Sequence, residues 1–142
     1  GSEGYLNAIP SNIERKVGVN WHASTGPLHY IKSIDVTILR EMLGNDVYSL
    51  NLATDDIFQP LPPDGWKENF FKTACHMKSM KAVVAPDTAT AHLAGALGVK
   101  CFLLLPEDDY ICWRWKNATW YDSVVPLKKH DWHKLPHLLE KL

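Results

Sequence analysis

Short apolar runs recur along the chain, each bounded by polar residues, glycine or proline. Two of them, Lys81–Ala85 and Lys100–Leu105, are closed by Pro86 and Pro106. Neither run alternates apolar with polar residues, which is typical of a parallel strand covered on both faces. Further strands are predicted at 16–20, 47–52 and 123–127. Because stretches of helical character separate these strands, the sequence predicts an α/β protein with a doubly wound parallel sheet of about five strands.

The clearest unit is the strand–helix–strand segment from 81 to 106. Asp87 suits a helix N-cap and Gly98 suits a helix stop, so about ten helical residues are expected between them. The helix is rich in alanine and glycine, which lets its backbone approach the sheet closely. Its first turn directs backbone N–H groups beyond the carboxyl end of the strand, where an open α/β sheet binds ligands and a helix favours phosphate. The alternative is that Asp87 and Thr88 only cap a structural helix.

Three more helices are predicted. The first begins at an N-cap, Ser33, and stops at Gly44. The second spans 67–80, and the third begins at Asp131, with Pro136 as a complication inside it. The apolar residues of the second helix fall roughly on one face and are expected in the core: Phe70, Phe71, Ala74, Met77 and Met80.

The order of several motifs carries a resemblance to a known family. Residues 87–98 (DTATAHLAGALG) are followed by a leucine-rich strand ending at Pro106, then by Trp113-Arg-Trp115 and by Trp120-Tyr-Asp-Ser123. This succession resembles the heptosyltransferase-like glycosyltransferases, and more narrowly the branch often fused to tetratricopeptide repeats. Those enzymes have the GT-B architecture of two Rossmann-like domains. The resemblance covers nearly the whole chain and implies the C-terminal domain, which binds the nucleotide-sugar donor.

The resemblance also implies a set of site residues. Thr88, Ala89 and Thr90 would hold the donor diphosphate, while Asp87 would contact the sugar or order the turn. His92 would reach a phosphate or ribose oxygen, or would simply pack in the helix. Lys32 would neutralise charge on the departing nucleotide, or would simply be a solvated lysine just before a helix. Ser24 and Thr25 would be further hydroxyl residues of the site, and Asn51 would be a weaker contact to the nucleoside. Trp113 and Trp115 would stack on the sugar or the base, or would only pack the loop.

Two features leave the chemistry open. Residues 26–30 (GPLHY) replace a more polar stretch of the family, so either His29 or Lys32 could face the donor. A general base is also needed near the acceptor hydroxyl. In the family that base comes from the N-terminal domain, which this chain lacks, so no catalytic residue is assigned here; His22 and Asp87 are the only substitutes that the chain offers.

Composition sets limits on the partners. The chain has 142 residues and a net charge of −1, which gives no case for nucleic acid or an anionic membrane surface. No apolar run reaches the roughly 20 residues that span a bilayer. Three widely spaced cysteines favour reduced thiols and a cytoplasmic location. The resemblance implies a bacterial protein. The seven histidines show no zinc-type spacing, so no metal is expected. No other cofactor is expected, because the resemblance makes the nucleoside-diphosphate sugar the substrate.

The predicted organisation is a short lead followed by one domain. Residues 1–15 are interpreted as an interdomain linker that begins with Gly1–Ser2, a remnant of a cleaved expression tag. Residues 16–142 are the Rossmann-like domain. The expected partners are a nucleotide-sugar donor, a missing N-terminal GT-B domain and tetratricopeptide repeats of the same protein.

The functional expectation is the donor-binding domain of a metal-independent glycosyltransferase, inactive by itself. The alternative is a binding or scaffolding module that kept the fold and lost nucleotide binding. Another kind of doubly wound nucleotide binder is disfavoured because the chain has neither a Walker nor a GxGxxG glycine pattern.

Overall fold

The computed structural model describes residues 8–21, 34–51, 57–105 and 121–142. Nine strands and helices follow one another in the described part of the chain, in this order: β1 (Val17–Val19), α1 (Val36–Leu43), β2 (Tyr48–Ser49), α2 (Phe70–Lys78), β3 (Ala82–Ala85), α3 (Ala89–Leu97), β4 (Cys101–Leu104), β5 (Val124–Leu127) and α4 (Leu135–Glu140). Short 3-10 segments, Trp66–Glu68 and Lys129–Lys134, precede α2 and α4.

The five strands form one sheet, and every described strand pair is parallel. Their order is β2-β1-β3-β4-β5, with Gly18 of β1 opposite both Tyr48 of β2 and Val83 of β3. The fold predicted from the sequence, an α/β protein with a Rossmann-like parallel sheet of five strands, is confirmed. Each strand is shorter than its predicted run, and β2 keeps only two residues of the run predicted at 47–52, because the residues at the ends of a run need not join the hydrogen-bond ladder.

Helices cover both faces of the sheet, and alternate strand residues supply the two cores. In β3, Val83 and Ala85 pack with α2 and α3, while Ala82 and Val84 pack on the opposite face with α1 and α4. Each of these four residues is fully buried. Continuous burial explains why the strand sequences lack polar alternation.

The helix α3 begins one residue later than expected. Its N-cap is Thr88, in an extended conformation, and not Asp87 as predicted. The predicted stop at Gly98 is confirmed: Gly98 has φ 74° and its N–H bonds to the carbonyls of Ala94 and Gly95. This left-handed conformation is one that glycine adopts without the steric cost of a Cβ.

The N-cap of α1 is Asp35, whose side chain accepts a hydrogen bond of 2.9 Å from the Thr37 N–H. The predicted cap, Ser33, lies outside the described residues, and the predicted stop at Gly44 is confirmed by φ 73°. In the last helix Asp131 lies within the 3-10 segment, and α4 proper starts at Leu135. Pro136 then falls in the first turn, where its missing N–H costs no helical hydrogen bond.

The prediction for α2 was partly wrong. Ala74, Met77 and Met80 are buried, but Phe70 and Phe71 are 65% and 60% exposed. The helix begins only at Phe70, where the Asn69 side chain caps the Lys72 N–H at 3.1 Å. The two phenylalanines therefore occupy the first turn of the helix, ahead of the part that packs on the sheet.

Candidate functional site

The site lies where the winding of the sheet reverses. The chain leaves β1 towards β2 on one side and later returns to β3 on the other side of β1. Crossovers on opposite sides leave a crevice outside the carboxyl ends of β1 and β3, which is the usual ligand site of such sheets. Asn20 directly follows β1, and residues 86–88 connect β3 to α3.

Three polar side chains form a hydrogen-bonded chain across this edge. Asn20 Nδ2 donates to Asn51 Oδ1 at 2.8 Å, and the Thr88 hydroxyl donates to Asn20 Oδ1 at 3.0 Å. The same Asn51 oxygen accepts the Trp21 N–H at 3.0 Å. Asn20 and Asn51 are only 6% and 5% exposed. The network therefore joins the carboxyl ends of β2, β1 and β3 inside the protein.

The first turn of α3 lies at the protein surface on this edge. The chain is buried from Ala82 through Asp87, reaches the surface at Thr88, Ala89 and Thr90, and is buried again at Ala91. Thr88 caps the helix without a side-chain hydrogen bond to it, because its hydroxyl bonds to Asn20 instead. The positive end of the helix dipole and the first-turn amides consequently face the crevice, which is a favourable environment for an anion.

Asp87 and His92 lie behind that turn. The Asp87 side chain is fully buried, and its Oδ1 is 3.6 Å from Nε2 of His92. The Asp87 carboxylate is therefore enclosed by protein beneath the turn. The His92 ring meets Tyr121 edge to face, with ring centroids 6.3 Å apart. His92 keeps a side-chain exposure of 20%, so part of it still reaches solvent.

The structure thus brings together six of the predicted site residues: Asp87, Thr88, Ala89, Thr90, His92 and Asn51. The other candidates lie outside the described residues, namely Ser24, Thr25, Lys32, Trp113 and Trp115, as do His22 and His29. The residues that flank 22–33 are joined by a hydrogen bond of 2.8 Å from the Ile34 N–H to the Trp21 carbonyl. Both ends of that segment therefore lie at the carboxyl end of β1.

Sequence reasoning missed Asn20, which it placed inside the first strand. The signal was present, because a polar residue that directly follows a buried parallel strand lies at the ligand-binding edge. Its partners at positions 51 and 88 are distant in sequence, so the hydrogen bonds themselves could not be foreseen.

A second polar cluster, also missed, lies on α2. His76 is 3% exposed, and its two ring nitrogens lie 2.7 Å from the Ser11 hydroxyl and 2.8 Å from Asp64 Oδ2. Desolvation raises the pKa of Asp64, but the hydrogen bond and charge of His76, the Trp66 N–H and Lys72 together outweigh it, so the pKa is lowered from 3.8. The cluster ties two separate segments of the chain to α2.

The order serine–histidine–aspartate in this cluster invites comparison with a hydrolase triad, which also needs N–H donors for the oxyanion. The backbone N–H of Ser11 already donates to the Cys75 carbonyl at 3.0 Å, so it does not serve as such a donor. We therefore interpret the cluster as a structural tie.

In the part of the chain that the structure describes, no three histidine, cysteine or acidic residues are grouped so that they could hold a metal ion. None of the described helices is both long and apolar enough to cross a membrane.

Comparison with known proteins adds no relative. No protein-family model, no curated protein and no solved structure matches this chain.

Proposed function

We propose that the chain is the donor-binding domain of a glycosyltransferase that transfers a sugar from a nucleoside diphosphate to an acceptor. The observation that carries the proposal is the exposed first turn of α3 at the switch point between β1 and β3. The motif order described above supports the choice of a sugar nucleotide among the anionic ligands that such an edge can bind.

In this proposal the amides of Ala89 and Thr90 hold the diphosphate. Amides that are already oriented stabilise the negative charge that grows on the departing nucleoside diphosphate, and they need no reorganisation when the sugar leaves. Lys32 adds a positive charge from the segment that follows β1. The general base belongs to a second domain, so the chain by itself is expected to bind nucleotide and to transfer no sugar.

The test is a calorimetric and thermal-shift titration of the chain with UDP, ADP and GDP. Saturable binding of one of them would support the proposal and identify the base. No binding at millimolar concentrations would contradict it and favour a scaffolding module that has the fold without the ligand. Sugar transfer by the isolated chain would contradict the assignment of the general base to another domain.

A pair of variants at Ala89 locates the diphosphate. Ala89→Pro removes one amide at the first helical position, where proline fits, and the extended Thr88 before it has the conformation that precedes proline. Ala89→Ser is the matched control, because it keeps the N–H at the same exposed position. A lost hydrogen bond to a charged group corresponds to roughly a tenfold loss of affinity or more, which we expect for the proline variant alone. Equal affinity of the two variants would place the diphosphate elsewhere.

A further inference from the structure

We infer that Asn20 is a positioning residue of this site: it holds Thr88, and through Thr88 the first turn of α3, at the switch point. The inference rests on the proposed function for its ligand, but its structural part stands on the hydrogen bonds of Asn20. Its backbone N–H bonds to the Val84 carbonyl of β3 at 3.0 Å, while its side chain bonds to Asn51 and Thr88. Asn20 is thus joined to the ends of both neighbouring strands.

The direction of each hydrogen bond in the network follows from one fixed donor. The Trp21 backbone N–H can only donate, so the Asn51 atom 3.0 Å from it is the carbonyl oxygen. Asn20 must then present its NH₂ group to that oxygen, which leaves its own oxygen towards Thr88. Among the described residues, the Thr88 hydroxyl has one further hydrogen-bond neighbour, the Pro86 carbonyl at 3.3 Å. Both neighbours are acceptors, so the single hydroxyl proton of Thr88 is used inside the protein.

This polarity changes the role expected for Thr88. A hydroxyl whose proton is already donated offers only lone pairs, and lone pairs repel a phosphate oxygen. The Thr88 side chain therefore anchors the turn, and within this turn the anion is held by backbone amides and not by that hydroxyl. Asn20 is the residue that makes this possible, because without it the hydroxyl can turn away and the helix N-cap loses its connection to β1.

Hydrogen exchange tests the positioning directly and needs no nucleotide. The amides of Ala91 and His92 both donate to the Thr88 carbonyl, at 3.1 and 3.3 Å. The Gly98 amide donates to the Gly95 carbonyl at the far end of α3. In Asn20→Ala we expect exchange at Ala91 and His92 to become about tenfold faster while Gly98 is unchanged, because a lost internal hydrogen bond has about that effect on a local opening. Unchanged exchange at both residues, or an equal rise at Gly98, would overturn the inference.

Nucleotide affinity provides the second readout, through a double-mutant cycle. Asn20→Ala and Thr88→Val are each expected to weaken binding about tenfold, and the double variant no more than either single one, because both changes break the same connection. Thr73→Val is the matched control. Thr73 lies on α2, and its hydroxyl bonds to the Trp66 carbonyl at 2.6 Å, outside the network of Asn20, Asn51 and Thr88. The Thr73→Val variant should bind nucleotide as tightly as the unmodified chain.

The outcomes separate the two proposals. Effects of Asn20→Ala and Thr88→Val that multiply would show that Asn20 does not act through Thr88. Failure of the unmodified chain to bind any of the three nucleotides would contradict the proposed function, and the exchange experiment would still decide the positioning role. If Asn20→Ala does not fold, Thr88→Val breaks the same hydrogen bond from the other end, and the same exchange pattern is expected.

Discussion

Replacement of Gly95 by alanine should destabilise the protein, although alanine is the better helix former. Gly95 lies in the interior of α3, where glycine ordinarily makes the helix about 1 kcal/mol less stable than alanine does. A Cβ built on Gly95 would lie 2.4 Å from Cγ and 2.9 Å from Cβ of Tyr121. The backbone of α3 therefore lies directly against Tyr121, and only a residue without a side chain fits between them.

The magnitude follows from which atoms collide. Ordinary contact begins near 3.4 Å, so Tyr121 must retreat by about 1 Å. Turning the ring about the Cβ–Cγ bond cannot achieve this, because both atoms lie on the rotation axis and stay in place. Overpacking of this kind costs about 1–3 kcal/mol. Rigid placement of the clash favours the upper half of that range, and the helix propensity of alanine offsets about 1 kcal/mol. We expect a net loss of about 1–2 kcal/mol.

Urea unfolding of four variants measures this effect. Gly95→Ala should lower the midpoint at an unchanged slope. In the Tyr121→Ala background the Cγ contact is gone, so the same glycine substitution should cost at least about 1 kcal/mol less, which is a coupling typical of residues in contact. A stabilised Gly95→Ala single variant, or equal effects in the two backgrounds, would refute the reasoning.

Three further predictions concern stability and reactivity. Gly98→Ala should cost about 1 kcal/mol in urea unfolding, because its φ of 74° penalises a Cβ; an unchanged midpoint would contradict this. Asp64 has a lowered pKa, so its carboxylate stabilises the fold above about pH 4 and this contribution is lost as the pH falls through the lowered pKa. The free energy of unfolding of Asp64→Asn should therefore fall less between pH 6 and about pH 3 than that of the unmodified chain. An unaltered dependence on pH would show that the pairing of Asp64 with His76 is unimportant. Burial raises the pKa of the Cys101 thiol to about 12, so alkylation of Cys101 should follow global unfolding, and rapid labelling of the native protein would contradict its burial.

The pattern of apolar runs predicted the sheet well because the strands are covered on both faces. A residue in β3 or β4 meets a hydrophobic core whichever way it points, so the whole run must be apolar and is visible in the sequence. The stop signals Gly44 and Gly98 were equally readable, since a left-handed residue at a helix end selects glycine locally.

Sequence patterns predicted helix starts less well than helix stops, for example where two neighbouring residues both suit the N-cap. Asp87 and Thr88 both suit an N-cap, and the structure uses Thr88 for the position while Asp87 is buried beneath the turn. Phe70 and Phe71 fit an apolar face, but whether the first turn of α2 reaches the sheet depends on the length of the preceding segment. Propensity and periodicity contain no information about that distance.

The sequence by itself determined the class of fold, the order of the strands along the chain and the small-residue helix α3, because each depends on residues close together in sequence. Tertiary structure alone decided the strand order in space, the network of Asn20, Asn51 and Thr88, and the packing of Tyr121 on Gly95. Those features join residues 26 to 68 positions apart in the chain. Hydrogen bonds and close packing require specific atoms within a few ångströms, and only the folded chain brings them there.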